Sequence, residues 1–186
     1  MSDFTIGVDF GTQSVRAIVV RCSDGTTISE STFAYPHGVL DRSLPDGTPL
    51  PGPDWALADP NDYMTGLIHV VHNAVAKSGL APEQIGAIAI AATACTLLPV
   101  NKDLVPLCCL DEYRSRPQAW CKLWKHHRAQ PYATQLTETA LLMKQDFLAN
   151  YGGKISSEWA VPKVMEVFDQ DREVYNASDR FMQFSD

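Results

Sequence analysis

The fold is decided by residues 5–20, which read TIGVDFGTQSVRAIVV. Two apolar runs, at residues 6–8 and 17–20, flank a short polar link that contains Gly11. Strand-like runs joined by a short glycine-containing link are typical of a β-hairpin. The sequence therefore predicts an antiparallel pair of strands that places Asp9, Gly11 and the polar residues 12–14 at one tip.

The predicted tip carries groups that suit phosphate and metal chemistry. Residues 12–14 are Thr, Gln and Ser, whose N–H and O–H groups can donate hydrogen bonds to phosphate oxygens. Gly11 either lets a bulky ligand approach the main chain or supplies a positive φ. Asp9 can hold a hydrated Mg²⁺, which prefers carboxylate and water oxygens. The residues alone leave two interpretations open, a phosphate and metal site or a plain hairpin with a polar tip.

The composition restricts the classes of function. The chain has 186 residues, 45% of them hydrophobic and 20% charged, which suits a globular domain with a substantial core. The net charge of −7 argues against a nucleic-acid surface, which needs a basic stripe. No apolar run reaches the length of a membrane span, and the first residues lack the features of a signal peptide. The five cysteines fit no zinc spacing, so we expect a reduced, cytoplasmic setting without nucleic-acid or membrane partners.

After the hairpin, the pattern predicts a mixed sheet with a crossover helix. Residues 27–35 alternate as a third antiparallel strand. Asp59 and Pro60 suit the N-cap and first position of a helix that ends at Gly79. The apolar run IGAIAIAA at residues 85–92 has the composition of a central strand buried on both faces. A helix between two strands indicates a parallel crossover, which would place this run beside the first strand.

The second half of the chain carries further helical patterns. We expect a helical region from residue 115, with Trp124 among the aromatic residues on its apolar face. A further helix, capped by residues 156–157, would carry a row of apolar residues that includes Phe168. Another apolar run begins at residue 181 and predicts the start of a strand.

The order of these elements, with an Asp-x-Gly-Thr tip after the first strand, resembles the actin-like ATPase (ribonuclease H-like) fold. DFGTQS at residues 9–14, followed by Arg16 and Ala17, resembles the FGGY carbohydrate kinases in particular. Three later segments are similar to the ribulokinase branch of that family: TACT at 93–96, LWKHH at 123–127 and YGGKISSEW at 151–159. The resemblance extends over essentially the whole chain. It implies an α/β fold with a mixed five-stranded sheet and helices.

The resemblance also implies an activity and its residues. It implies a two-lobed kinase that transfers the γ-phosphate of ATP to a hydroxyl of a ketopentose, with ribulose as the expected sugar and Mg²⁺ as the metal. Carried over by position, Asp9 would hold Mg²⁺, and the residues near the ATP phosphates would be Gly11, Thr12, Gln13, Ser14 and Arg16. The residues that line the sugar site would be Thr93, Ala94, Cys95, Thr96, Trp124 and Lys125.

On the same resemblance, residues 1–186 are part of the N-terminal lobe, and the C-terminal lobe lies outside this chain. A general-base aspartate takes the hydroxyl proton in this family. No acidic residue here matches its motif, so we expect the base beyond Asp186 and expect the isolated chain to be inactive. ATP and the sugar would be small-molecule partners, and a homodimer is a possible assembly.

One departure from the family pattern supports a second interpretation. Members of the ribulokinase branch usually carry an Asp-Phe or similar pair directly before Thr-Ala-Cys, whereas this chain has Ala91 and Ala92. A strand-end carboxylate beside the sugar site would then be missing. The alternative to a kinase is therefore a non-catalytic sugar-binding or regulatory relative of the sugar kinases.

Overall fold

The computed structural model describes residues 3–184, which divide into two compact units. Unit 1 comprises residues 3–38 and 59–93, and unit 2 comprises residues 39–58 and 94–184. The strands are β1 (Phe4–Phe10), β2 (Ser14–Arg21), β3 (Thr27–Ala34), β4 (Leu57–Ala58), β5 (Ile85–Ala92), β6 (Leu97–Val100), β7 (Cys121–Lys122) and β8 (Arg180–Gln183). The helices are α1 (Pro60–Ser78), α2 (Gln130–Leu142), α3 (Ala160–Gln170) and α4 (Arg172–Ala177). Within the described residues, no helix combines the length and hydropathy needed to cross a bilayer.

Unit 1 contains a mixed sheet with the strand order β3-β2-β1-β5. β1 and β2 form the predicted antiparallel hairpin, β3 extends it, and β5 lies parallel to β1 on the other side. The hairpin, the parallel crossover and the mixed α/β class are confirmed. Of the five strands expected, the described residues supply four to this sheet. The strand expected near residue 181 does form, as β8, but it pairs with β6 in unit 2.

Helix α1 covers one face of this sheet and has the predicted ends. The Asp59 side chain accepts a hydrogen bond from the Asn61 N–H, Pro60 occupies the first turn, and Gly79 ends the helix with φ of 69°. The helix packs mainly on β2 and β3. Val15, Ala17 and Val19 of β2 point toward it, and each is at most 1% exposed. Alternation along the strand therefore divides the sheet into a covered face and an open face.

Gly66 is a point of close contact between α1 and the sheet. A Cβ atom at this position would lie 2.6 Å from Val15 Cγ1 and 3.0 Å from Phe33 Cδ1. Replacing Gly66 with alanine is expected to lower the free energy of unfolding by ~1–3 kcal/mol, because the helix must move away from packed side chains. Urea denaturation measures this, with Met64→Ala, at a side chain 61% exposed on the same helix, as control. Since alanine favours helix by about 1 kcal/mol over glycine, a stabilised variant would contradict the contact.

The prediction that residues 85–92 form a strand buried on both faces is wrong. β5 is in the predicted place beside β1, yet it is the outer strand of the unit 1 sheet within the described residues. Ile88 is 51% exposed and Ile90 is 58% exposed. The reason is that α1 covers β2 and β3 rather than β5. A continuous apolar run indicates that a strand forms. It does not show whether other elements pack on the two faces of that strand.

Unit 2 contains a second sheet, with the strand order β4-β7-β6-β8. Its apolar core includes Trp55, Leu57, Leu107 and Trp120. The helical region predicted from residue 115 is wrong. The chain there forms a short 3-10 segment (Pro117–Ala119) followed by β7, which pairs with β4 and β6. The chain is extended where a helix was predicted, and the helix begins later, at Gln130.

Helix α3 buries two of its charged residues and exposes two of its apolar ones. Lys163 and Glu166 are 0% and 1% exposed, whereas Val161 and Phe168 are 59% and 41% exposed. The helix was predicted at about this position, but its buried face carries these two charged residues beside Val167. Buried charges are costly unless they are paired and hydrogen-bonded. The partners of Lys163 and Glu166 therefore define the important contacts of unit 2.

Candidate functional site

The tip of the β1–β2 hairpin places Asp9 and Arg16 side by side. The two residues are direct neighbours in the antiparallel ladder, and Arg16 Nη2 lies 2.6 Å from Asp9 Oδ2. Their side chains are 50% and 60% exposed. Since Val8 and Phe10 are buried on the face that α1 covers, alternation places Asp9 on the open face. Asp9, which was predicted to hold the metal, is thus accessible. Arg16, which was predicted to contact phosphate, holds Asp9 in place.

The turn between the two strands is closed by the main chain. The Gly11 N–H donates to the Ser14 carbonyl at 2.9 Å, and the Tyr35 N–H donates to the Gln13 carbonyl at 3.0 Å. A Cβ atom on residue 11 would lie 3.1 Å from the Ser14 carbonyl oxygen. Gly11 is therefore needed for the tightness of the turn, and its amide is already bonded within the turn. Thr12 lies at the same tip and is half-buried.

A groove of about 470 Å³ runs along the open face of the unit 1 sheet. Asp9 and Arg16 line it together with small residues that include Gly7, Ala89 and Ala91. Ala91 is the neighbour of Asp9 in the parallel ladder, so the residue that departs from the family pattern lies beside the predicted metal residue. Two carboxylates, Asp9 and Glu30, line this open groove, which fits Mg²⁺, since that ion usually keeps several waters and takes one or two protein carboxylates.

A second group of metal-type ligands lies at the start of α1, where sequence reasoning did not find it. Asp59, Asp62 and His37 bring one ligand atom each to within 4.8 Å of one another. Asp62 accepts two hydrogen bonds from His37, from the ring Nδ1 at 2.9 Å and from the main-chain N–H at 3.0 Å. Asp59 accepts from the Asn61 N–H. These bonds tie the chain after β3 to the helix start, which accounts for the cluster.

The predicted sugar segment follows β5 and crosses the boundary between the units. Thr93 belongs to unit 1, whereas Ala94, Cys95 and Thr96 belong to unit 2. Cys95 is half-buried and has a φ of 60°, a conformation uncommon for residues other than glycine. Thr96 is 1% exposed, so its side chain is not presented to solvent. Within unit 2, this segment therefore presents Ala94 and Cys95 at a strained turn.

The other two predicted sugar residues lie on a second turn of unit 2. Trp124 and Lys125 are its central residues, and the His126 N–H closes it by donating to the Leu123 carbonyl at 3.0 Å. Trp124 is 38% exposed. The Nζ of Lys163 donates to the same carbonyl at 2.8 Å and to the Cys95 carbonyl at 2.6 Å. The structure thus joins the two predicted sugar segments of unit 2 through a residue that was not predicted.

Beneath these turns lies a buried network centred on Glu166. Glu166 accepts hydrogen bonds from Gln118 Nε2 at 3.1 Å and from His126 Nε2 at 2.8 Å. Burial disfavours the ionised form of Glu166, yet the bond from His126 and the charge of Lys122 lower its pKa to about 2. Burial lowers the pKa of Lys122, and the charge of Glu166 opposes this shift. Glu166 is therefore a buried anion whose charge favours the protonated form of Lys122, and Arg128 Nε lies 3.8 Å from its Oε1.

His126 is neutral in this network. Its Nδ1 accepts a hydrogen bond from the Ala56 N–H at 3.3 Å, which requires an unprotonated Nδ1, and its Nε2–H donates to Glu166. Burial lowers the pKa of His126 to about 4, although the hydrogen bond to Glu166 opposes that shift. The hydrogen-bond geometry and the direction of the pKa shift agree on a neutral ring.

The neutral state of His126 predicts acid sensitivity. Between pH 6.5 and about 4, the unfolded chain protonates this imidazole while the folded chain does not. The unfolded state then binds more protons, so stability falls as the pH decreases, by up to about 1.4 kcal/mol per pH unit. Glu166, with its pKa of about 2, adds a further loss below pH 4.5.

Urea denaturation at several pH values between 7 and 4.5 tests the acid sensitivity. His126→Gln should flatten the loss of stability in this range, because glutamine can keep both hydrogen bonds without titrating. His72→Gln, at an exposed histidine of α1, should leave the loss as it is in the parent chain. If both variants show the parental pH dependence, His126 is not its source.

Lys163 and Glu166 were missed because the helix was interpreted by its apolar residues. The segment AVPKVMEVF places Val164 and Phe168 four apart, a spacing that usually indicates the buried face. The opposite face is buried instead. The sequence showed only that Lys163 and Glu166 are spaced so that they lie on one face of a helix. Such pairs are usually exposed, so the sequence carried no indication of burial.

Several solved structures of sugar kinases have the same fold. The chain is similar to a xylulose kinase from Rhodospirillum rubrum, with a TM-score of 0.75, 19% identity, and coverage of 98% of this chain and 32% of that one. It is also similar to a gluconate kinase from Lactobacillus acidophilus, with a TM-score of 0.73, 13% identity, and coverage of 96% and 31%. The fold is that of the actin-like ATPase class, as the order of the elements had predicted.

Curated relatives are more similar in sequence. A ribulokinase from Halalkalibacterium halodurans is 42% identical over 183 residues, which cover 98% of this chain and 32% of the relative. A ribulokinase from Mycolicibacterium smegmatis is 42% identical over 186 residues, with coverage of 98% and 33%. The chain thus spans about a third of the length of these relatives. Residues 4–186 match the N-terminal domain of the FGGY family of carbohydrate kinases, and the chain belongs to that family.

Proposed function

We propose that this chain supplies phosphate-binding and sugar-binding parts of an ATP-dependent kinase that phosphorylates a ketopentose, with ribulose as the substrate. The observation that carries the proposal is the position of Asp9 at an accessible hairpin tip, paired with Arg16 beside an open groove. The choice of sugar is supported by the two ribulokinases that are 42% identical to this chain. Because the chain spans about a third of those relatives, the activity is proposed for the full translation product of its gene.

In the proposed reaction, a sugar hydroxyl attacks the γ-phosphate of ATP in line with the leaving ADP oxygen. Catalysis of this kind depends mostly on positioning and charge neutralisation. Asp9 would hold Mg²⁺, which supplies positive charge at the phosphates. Arg16 and the polar groups of Thr12, Gln13 and Ser14 would contact the phosphate oxygens, and Gly11 would keep the turn tight enough for close approach.

The proposed sugar site uses the two turns around Lys163. Thr93, Ala94, Cys95 and Thr96 would contribute main-chain groups, and Trp124 with Lys125 would contribute a wall. The general base that takes the hydroxyl proton is proposed to lie beyond Asp186, in the same protein. On this proposal, residues 1–186 alone form part of the N-terminal lobe and have no turnover.

The proposal is tested by coupled ADP release from the full translation product, with MgATP and a panel of pentuloses and polyols. We expect turnover to be highest with ribulose and to disappear when the metal is chelated. Turnover by residues 1–186 alone would show that the general base lies within these residues rather than beyond Asp186. Absence of turnover with every sugar would overturn the kinase proposal.

A second candidate function is a non-catalytic sugar-binding relative, and Ala91 favours it. This residue places a methyl group beside Asp9, where a carboxylate was expected from the family pattern. Calorimetry with ribulose and with ATP on the full translation product distinguishes the two functions. Sugar binding together with the absence of turnover would favour the second candidate.

We further propose that the full translation product acts in the cytoplasm and forms a homodimer, with ATP and the sugar as its small-molecule partners. Light scattering tests the assembly, and a monomer at micromolar concentration would contradict it. Fractionation of cells tests the location, and recovery in the membrane fraction would contradict it.

A further inference from the structure

We propose that Lys163 is a positioning residue for the sugar, because its ammonium group holds together the two turns that we assign to the sugar site. This inference rests on the proposed kinase function. Lys163 does not belong to either turn, and it lies on α3, about forty residues from one turn and nearly seventy from the other. Its donors connect the Cys95 carbonyl at 2.6 Å with the Leu123 carbonyl at 2.8 Å.

The burial of Lys163 is difficult to explain by stability alone. Its side chain is 0% exposed, and its two bonded partners are neutral carbonyl groups. Burial lowers its pKa to about 8, which shows the penalty on the charged form. Replacing a buried ion pair with apolar side chains of similar volume is often neutral or stabilising, so a buried charge is weak evidence of a stabilising role. We therefore infer that the ammonium group of Lys163 fixes the positions of the two carbonyl groups that it binds.

The Cys95 carbonyl belongs to a strained turn, and the Leu123 carbonyl belongs to a turn that hydrogen bonds hold in place. Cys95 has a φ of 60°, in the left-handed region that residues with a Cβ seldom adopt. Residues persist in such conformations only where surrounding contacts hold them, and they are concentrated at functional sites. The Leu123 carbonyl accepts from both Lys163 and the His126 N–H, so its two lone pairs are engaged and Trp124 and Lys125 are fixed beside it.

The test compares Lys163→Met with Lys122→Met in the full translation product. Lys122 is the matched control, since it is 1% exposed and its Nζ contacts the Gln118 carbonyl at 3.4 Å rather than either turn. We expect Lys163→Met to raise the KM for ribulose at least about tenfold while the KM for ATP changes less than about twofold. Lys122→Met should leave both KM values within about twofold of the parent. A purely structural role would lower the melting temperature without separating the two substrates.

A second readout does not depend on activity. Peptide mass spectrometry measures the rate at which iodoacetamide alkylates Cys95, with the buried Cys121 as internal reference. Lys163→Met should accelerate alkylation of Cys95 alone by about tenfold, because the turn loses its anchor. If that variant does not fold, Lys163→Gln, which keeps a donor, should show a smaller acceleration of the same kind.

The outcomes separate this inference from the proposed function. If the parent protein phosphorylates ribulose and Lys163→Met leaves the ribulose KM unchanged, the inference is overturned and the kinase function stands. If the parent has no turnover but Cys95 alkylation accelerates, the kinase proposal fails while the anchoring of the turn by Lys163 is supported. If neither KM nor alkylation responds, Lys163 does not position these turns.

Discussion

Replacing Asp9 with asparagine is expected to lower the kcat of the full translation product at least ~100-fold, because it removes the carboxylate that we propose would hold the metal at the phosphates. Asparagine keeps the size of the side chain and can still face Arg16, so the fold should be retained. Coupled ADP release at saturating ribulose measures the effect. Far-ultraviolet circular dichroism of the same sample checks the fold.

A matched control for Asp9→Asn exists in the turn between β2 and β3. Asp24 forms an ion pair with Arg21 at 3.0 Å, and its side chain is 47% exposed, against 50% for Asp9. Asp24→Asn removes a comparable surface pair outside the proposed site, so kcat should stay within about twofold of the parent. Equal losses in the two variants would show that the effect comes from the sheet rather than from phosphate transfer.

Replacing Glu166 with glutamine is expected to lower the free energy of unfolding of the chain by ~3 kcal/mol or more, because the buried Lys122 would lose its compensating charge. The hydrogen bond from His126 would lose its ionised acceptor as well. Urea denaturation at pH 7 measures the loss. Adding Lys122→Met to Glu166→Gln should recover part of it, because the double variant no longer buries an uncompensated cation.

The control for Glu166→Gln is Glu173→Gln, on the neighbouring helix α4. Glu173 forms an ion pair with Arg116, but the Glu173 side chain is 76% exposed. Exposed ion pairs contribute little, so this change should leave the free energy of unfolding close to that of the parent. Similar losses in the two variants would contradict the assignment of Glu166 as the central charge of unit 2.

The parts of the fold that sequence reasoning predicted correctly are those with local causes. The β1–β2 hairpin follows from a polar link with Gly11 between two apolar runs. Helix α1 follows from Asp59 and Pro60 at its start and Gly79 at its end, each of which acts within a few residues. Asp9 and Arg16 were both assigned to the tip, and the register of the ladder brings them into contact.

The errors concern burial, which distant segments decide. The run at residues 85–92 is a strand as predicted, but its exposure depends on where α1 packs. Trp124 was predicted on a helix, whereas β7 pairing with β4 and β6 places it on a turn. Lys163 binds the carbonyl groups of Cys95 and Leu123, which lie far from it in the sequence. Patterns of apolar residues describe a single element and contain no information about its partners.

The pairing of Asp9 with Arg16 limits how the length of the hairpin tip can vary. Side chains alternate along a strand, so a slip of one residue between β1 and β2 would exchange the two faces of the sheet. A single insertion or deletion between Phe10 and Ser14 would turn Arg16 toward α1 and bring Val15 to the groove. Among natural variants of this chain, we therefore expect the tip to keep its length or to change by two residues while its side chains vary more freely.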